Sequence, residues 1–148
     1  MPPKITVYTD GAASGNPGPG GYGVVLLSGH HRKELSGGFR LTTNNRMELL
    51  ACIKALEAIK NPALPVSLFT DSAYLHNCLV QKWYLRWQKN GWLTANKKPV
   101  ENKDLWLRLL ARKDRFPHIT FHKVAAHSRV ALNERADQLA KEALQSLL

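Results

Sequence analysis

The chain has 148 residues, 44% of them hydrophobic and 22% charged, the balance of one soluble globular domain spanning 1–148 with a core of its own. No apolar run reaches the roughly 18 residues of a membrane helix, the start "MPPKITVYTD" has no signal-peptide h-region, and Cys52 and Cys78 lack C-x-x-C spacing, so the expectation is a cytoplasmic protein with buried free thiols and no membrane partner. The 21 Lys and Arg against 11 Asp and Glu leave a formal charge of +10, which makes a polyanion the first partner to consider.

Alternation of apolar and polar residues predicts strands over 5–9, 21–27 and 31–41, joined by short loops into an antiparallel meander. Between the first two lies "YTDGAASGNPGPGGYG", which holds six of the ten glycines and satisfies G-x-G-x-x-G. That fingerprint needs a helix to follow, so that a pyrophosphate meets its N-terminus. Here "YGVVLLSG" follows, Pro17 and Pro19 punctuate the loop, and there is no Gly-Lys-Ser/Thr ending. A nucleotide-binding loop is rejected.

In "TTNNRMELLACIKALEAIKN" the period changes: Thr43 or Asn44 is placed to cap a helix on which Leu49, Ile53, Leu56 and Ile59 recur, and Asn61-Pro62 stops it. "PVSLFTDS" reads as a short strand ending at Asp71, and Ser72 is placed to cap the helix after it. Strand, helix, strand implies a crossover and parallel pairing. Residues 81–103 form a basic insert with Lys82, Arg86, Lys89, Lys97, Lys98 and Lys103, one acid, Glu101, and three of the four tryptophans. A helix over "DLWLRLLARKD", with Trp106 in the core, a strand over "HITFHKV", a loop, and a helix from about Asn133 complete a mixed sheet with helices on its faces.

In so basic a chain, four acids stand where solvation does not explain them. Asp10 ends the first strand before Gly11, where an Asp-Gly turn is the competing explanation. Glu48 shares a helix face with Ala51, Cys52, Ala55 and Ile59, away from the side of Lys54 and Lys60. Asp71 lies at the carboxyl end of a strand, the usual place for sites in α/β sheets, although a helix cap explains it equally. Asp137 lies one turn from Ala140 and two from Leu144, partly on the apolar stripe of the last helix. If the four converge, desolvated like charges must take up protons or cations. An all-oxygen cluster suits Mg²⁺ or Mn²⁺ and not Zn²⁺, which points to phosphodiester chemistry. His127, ten residues before Asp137 in a loop, is placed to move a proton beside such a site.

The motifs "YTDGAASGNPGPGGYG", "TTNNRMELLA", "FTDSAY" and "NERADQLA", in that order, resemble those of ribonuclease H of the type 1, bacterial class, and the resemblance runs essentially from end to end. It implies an α/β ribonuclease H-like fold, a five-stranded mixed β-sheet flanked by α-helices, in which Asp10, Glu48, Asp71 and Asp137 hold two Mg²⁺ ions, with Mn²⁺ as substitute. It implies a monomeric endonuclease that hydrolyses the RNA strand of an RNA–DNA hybrid and leaves 3'-hydroxyl and 5'-phosphate ends. His127 matches the family's mobile loop histidine, tied to proton transfer or product release. Gly11, Asn16, Thr43, Asn44 and Asn45 match positions that read the hybrid through 2'-hydroxyls or phosphates. The insert resembles the family's basic protrusion on the DNA strand, with Lys82, Arg86, Lys89, Lys97 and Lys98 on phosphates and Trp83, Trp87 or Trp92 against sugars or bases.

The chain departs from the family pattern in two places. Ala73 follows Ser72 where the family commonly has Gln, removing an amide contact to the hybrid. Ala125, Ala126, Arg129 and Leu132 surround His127 in place of the usual glycines, which implies a stiffer loop. Two other readings fit part of the pattern: another nuclease or strand-transferring member of the fold superfamily, which shares the carboxylates but not the insert and "TTNNRMELL", and a non-catalytic hybrid-binding protein, which the intact acid set argues against.

Overall fold

The structure, a computed structural model, describes residues 4–125 and 130–148. The meander forms as the alternation requires: β1 (Ile5–Ala13), β2 (Gly18–Ser28) and β3 (His31–Thr42) pair antiparallel in succession. β4 (Val66–Thr70) adds parallel to β1, and β5 (Ile119–Lys123) parallel to β4. The resulting order β3-β2-β1-β4-β5 puts β1 at the centre of a five-stranded mixed sheet. Among the described residues there are five helices: α1 (Asn44–Ala58), α2 (Ala73–Val80), α3 (Trp83–Asn90), α4 (Lys103–Lys113) and α5 (Ala131–Gln145).

Two-residue periodicity sorts the strand side chains between two layers. Ile5, Val7, Val24 and Leu26 join Leu49, Ile53 and Leu56 of α1 and Trp106 and Leu109 of α4 in the larger core. Tyr8, Val25 and Leu27 face Leu132, Ala136 and Leu139 of α5, which lies against the opposite face. Trp106 is fully buried, as its spacing predicts, with its indole N–H donating to the Tyr74 hydroxyl at 2.8 Å. The caps also form where the sequence places them: Thr43 Oγ1 accepts from the Arg46 amide at 3.2 Å, and Ser72 Oγ accepts from the Leu75 amide at 3.0 Å.

Three features differ from the sequence expectation. β1 does not end at Asp10 but continues to Ala13, with Asp10 opposite Gly23 and Gly11 opposite Tyr22, so Asp10-Gly11 is ladder and not a turn. β2 starts at Gly18, so most of the glycine-rich stretch is two paired strands. The insert contains a helix, α3, which ends at a left-handed Gly91 (φ +79°).

Candidate active site

The last parallel pair of β1 and β4 is Thr9 opposite Thr70, so Asp10 and Asp71 follow side by side at the carboxyl end of the two central strands. Glu48 reaches the same point from the second turn of α1, and its Oε1 accepts from the Gly11 amide. Ligand oxygens of Asp10, Glu48 and Asp71 all lie within 4.8 Å of one another. Asp10 and Glu48 are buried, at 4% and 3% exposure. Asp137 and Lys141 of α5 line the same open cleft of 450 Å³, together with Asn44, Asn45, Ser72, Ala73 and Tyr74.

Glycine is what lets two helices approach this point. A Cβ at Gly11 would sit 2.8 Å from Met47 Cβ and closer still to the Glu48 amide, so the bare backbone of β1 seats the first turn of α1. On the other face, a Cβ at Gly23 would sit 2.8 Å from Leu139 Cβ and 2.9 Å from the Ala140 amide, and would collide with the Ala136 carbonyl. Gly23 lies opposite Asp10, and Asp137 follows Ala136. The glycines of the opening motif thus bring Glu48 and Asp137 to Asp10 from opposite faces of the sheet.

Burial raises the Asp10 carboxyl far above the ordinary carboxylate range, and the neighbouring charges of Glu48 and Asp71 push it further. Burial likewise raises Glu48, although the Gly11 amide and the hydrogen bond from Asp10 pull the other way. Two buried acids this close retain a proton unless a cation compensates them. An all-carboxylate donor set at the floor of an open cleft fits a hard, oxygen-loving divalent cation. On the rim, Lys141 Nζ pairs with Asp137 Oδ2 at 2.9 Å, one helical turn apart.

Asn44 and Asn45 are exposed on the first turn of α1 and line the carboxylate cleft. Asn45 also lines an adjoining recess of 300 Å³ with Asn16, Thr43, Glu101 and Asn102. The Thr43 hydroxyl is engaged as a helix cap. Gly11 is buried, and its amide is held by Asp10 Oδ1, at 2.9 Å, and by Glu48. His127 lies outside the described residues.

In the insert, Lys82, Arg86, Lys89, Lys97 and Lys98 are all exposed, and none forms a salt bridge among the described residues. The arginines on α1 and α4 are, by contrast, tied to acids: Arg46 to Asp104, and Arg108 and Arg112 to Glu57. The tryptophans divide. Trp92 is 9% exposed and packs at 5.7 Å from the Trp87 ring, which also meets Trp106 edge-on at 5.7 Å. Trp83, 39% exposed, and Trp87 line a surface recess with Arg86, Thr94 and Ala95. Of the three tryptophans offered as contacts to sugars or bases, Trp92 is therefore mainly a core residue, whereas Trp83 and Trp87 reach the surface.

Sequence reasoning missed Lys141, Tyr74 and Asn102. Lys141 had a readable signal, a cation four residues after Asp137 on one helix; Asn102 had none, because only the fold carries the end of the insert back to α1.

A ribonuclease H family model matches residues 2–145. Ribonuclease H of Chlorobaculum parvum is 54% identical over 145 residues, covering 98% of each chain. That of Symbiobacterium thermophilum is 54% identical over 142 residues, covering 95% of each. Among solved structures, LC9-RNase H1, described as a type 1 RNase H with the type 2 active-site motif, superposes over 100% of this chain and 75% of its own, with TM-score 0.85 and 29% identity. LC11-RNase H1, solved in complex with an RNA/DNA hybrid, superposes over 97% of this chain and 99% of its own, with TM-score 0.76 and 29% identity.

Proposed function

The chain belongs to the ribonuclease H family and is an enzyme of that family, and from that premise we propose that it hydrolyses the RNA strand of RNA–DNA hybrids internally, with metal assistance. The observation that carries the reading is the convergence of Asp10, Glu48 and Asp71, with Asp137 on the wall of the same cleft, at the carboxyl end of the central strands. A structural neighbour bound to an RNA/DNA hybrid supports the substrate class.

In this reading Asp10, Glu48, Asp71 and Asp137 hold two Mg²⁺ ions, with Mn²⁺ as substitute. When bound, such ions lower the pKa of a water and stabilise charge on a leaving oxygen. The buried carboxylates supply fixed ligands, held by the Gly11 amide on one side and by the sheet on the other. Water oxygen bonds to phosphorus, the P–O3' bond breaks, and a proton reaches O3', which gives the 3'-hydroxyl and 5'-phosphate ends; His127 is assigned the proton movement. Asn44, Asn45 and Asn16 address 2'-hydroxyls or phosphates along the two adjoining recesses, and the 2'-hydroxyl is what marks the strand as RNA. Thr43 and Gly11 take part through backbone position, since their polar groups already serve the helix cap and the carboxylates. The unpaired cations of the insert, Lys82, Arg86, Lys89, Lys97 and Lys98, with Trp83 and Trp87 beside them, take the DNA strand.

One chain carries every carboxylate, which supports a monomer working as a single catalytic domain. Free, buried Cys52 and Cys78 support a reducing compartment such as the cytoplasm. Among the described residues no helix is long and apolar enough to cross a membrane.

The test is cleavage of end-labelled RNA–DNA hybrid beside duplex RNA, duplex DNA and single-stranded RNA, with Mg²⁺ and with EDTA. Mg²⁺-dependent cutting confined to the RNA of the hybrid is the expected result. Tight hybrid binding without cutting establishes a binding module instead, and cutting of the other duplexes moves the protein elsewhere among metal-dependent nucleases.

A further inference from the structure

We infer that Lys141 is a positioning residue, holding the Asp137 carboxylate in competition with a divalent cation and passing to a phosphate of the substrate when the cation displaces it. The inference rests on the proposed hydrolase reading and deepens it. It starts from composition of the cleft: among its described lining residues Lys141 is the one cation, beside the four acids Asp10, Glu48, Asp71 and Asp137.

Geometry fixes which carboxylate it serves. Lys141 stands four residues after Asp137 on α5, the spacing that puts side chains on one helical face, and Nζ lies 2.9 Å from Asp137 Oδ2. A divalent cation that approaches the Asp137 carboxylate competes with this ion pair.

The helix beneath is rigid where it matters. Ala136 and Ala140, which flank Asp137 and precede Lys141, are fully buried, set against Gly23 and Gly21 with no room for an added methyl group. Any change of partner is thus made by the side chain alone. That side chain is 53% exposed and has a flexible four-carbon stem ending in a point charge with three donors. Once Asp137 is taken by a cation, the ammonium is left at the rim of the cleft, close to where a nucleic-acid phosphate must lie for cleavage. Releasing a carboxylate and pairing with a phosphate conserves its charge balance and needs no further group.

The test titrates Mg²⁺ into the full-length wild type, Lys141→Met, Lys141→Gln and Lys141→Arg by calorimetry without nucleic acid, then measures kcat and KM for a hybrid at saturating Mg²⁺. Loss of an exposed i,i+4 pair sets the scale, and the two neutral variants are expected to bind Mg²⁺ about twofold more tightly. Their KM for the hybrid is expected to rise several-fold while kcat changes little, and Lys141→Arg is expected to restore both values. Mg²⁺ affinity unchanged or weakened in both neutral variants overturns the inference and leaves the hydrolase reading standing. A wild type that binds no Mg²⁺ overturns the hydrolase reading itself, and the inference with it.

Discussion

Replacing Gly11 with alanine tests the claim that a bare stretch of β1 seats α1 and thereby places Glu48. The new Cβ meets Met47 Cβ at 2.8 Å and main-chain atoms of Met47 and Glu48 nearer still. Main chain cannot escape by changing rotamer. Restoring carbon contacts to the ordinary 3.5–4 Å requires α1 to retreat by about 1 Å. Overpacking of this kind costs about 1–3 kcal/mol, and weakening the bond from the Gly11 amide to Glu48 adds about 1 kcal/mol. At about 2–4 °C per kcal/mol for a chain of this size, the melting temperature should fall by about 4–16 °C. A displacement of about 1 Å at a ligand-bearing residue should also cost on the order of 100-fold in kcat. The assays are thermal unfolding by circular dichroism and steady-state hybrid cleavage. Gly29→Ala is the control: Gly29 has φ +60° with nothing within 4 Å of an added Cβ, so it should lose about 1–2 kcal/mol to backbone strain and keep wild-type kcat. Wild-type melting and kcat in Gly11→Ala would refute the reasoning, as would an equal loss of activity in Gly29→Ala.

Asp10→Asn should abolish cleavage while hybrid binding, measured by anisotropy, persists. With chelator present it should also melt higher than wild type at neutral pH. The Asp10 carboxyl has a folded pKa raised by burial and by Glu48 and Asp71, so between its unfolded and folded values the native state holds more protons and stability falls as pH rises; the advantage of Asp10→Asn should shrink toward pH 4, and a gap that does not change with pH removes the buried-acid argument. Lys97→Asn with Lys98→Gln, the asparagine chosen because Lys97 has φ +60°, should lower the slope of log affinity against log salt by up to about 2; an unchanged slope takes these lysines off the binding surface. Trp92→Ala should cost about 3–5 kcal/mol in urea unfolding, as a buried aromatic does, whereas Trp83→Ala should stay within about 0.5 kcal/mol and weaken hybrid binding. The reverse pattern would exchange the two assignments.

The sequence by itself determined the residue types of the site and much of the frame. Apolar spacing placed α1, α4, α5 and the three strands of the meander, and short apolar runs placed α2, β4 and β5, because apolar residues record the faces an element buries. Thr43, Ser72 and Pro62 marked helix boundaries through local hydrogen bonding and local sterics, which need no distant partner. Asp10, Glu48, Asp71 and Asp137 stood out as acids on small or apolar faces of a basic chain, and the motifs around them resembled one family in order and spacing.

Tertiary structure decided what the glycines do. Gly18 and Gly20 carry no alternation to read, and glycine is disfavoured in strands, so the start of β2 and the continuation of β1 past Asp10 emerge only from pairing on the central ladder. The same holds for burial in the insert: Trp83, Trp87 and Trp92 look alike in sequence, and only burial in the core that also holds Trp106 of α4 separates Trp92 from the exposed Trp83. Convergence itself is a long-range property, since Asp10, Glu48, Asp71 and Asp137 meet because β1 is central, β4 runs parallel to it, and two helices press on opposite faces where β1 and β2 have no side chains. Local sequence specifies which groups are present; the sheet order and the close approach of α1 and α5 set the distances that turn four separate acids into one site.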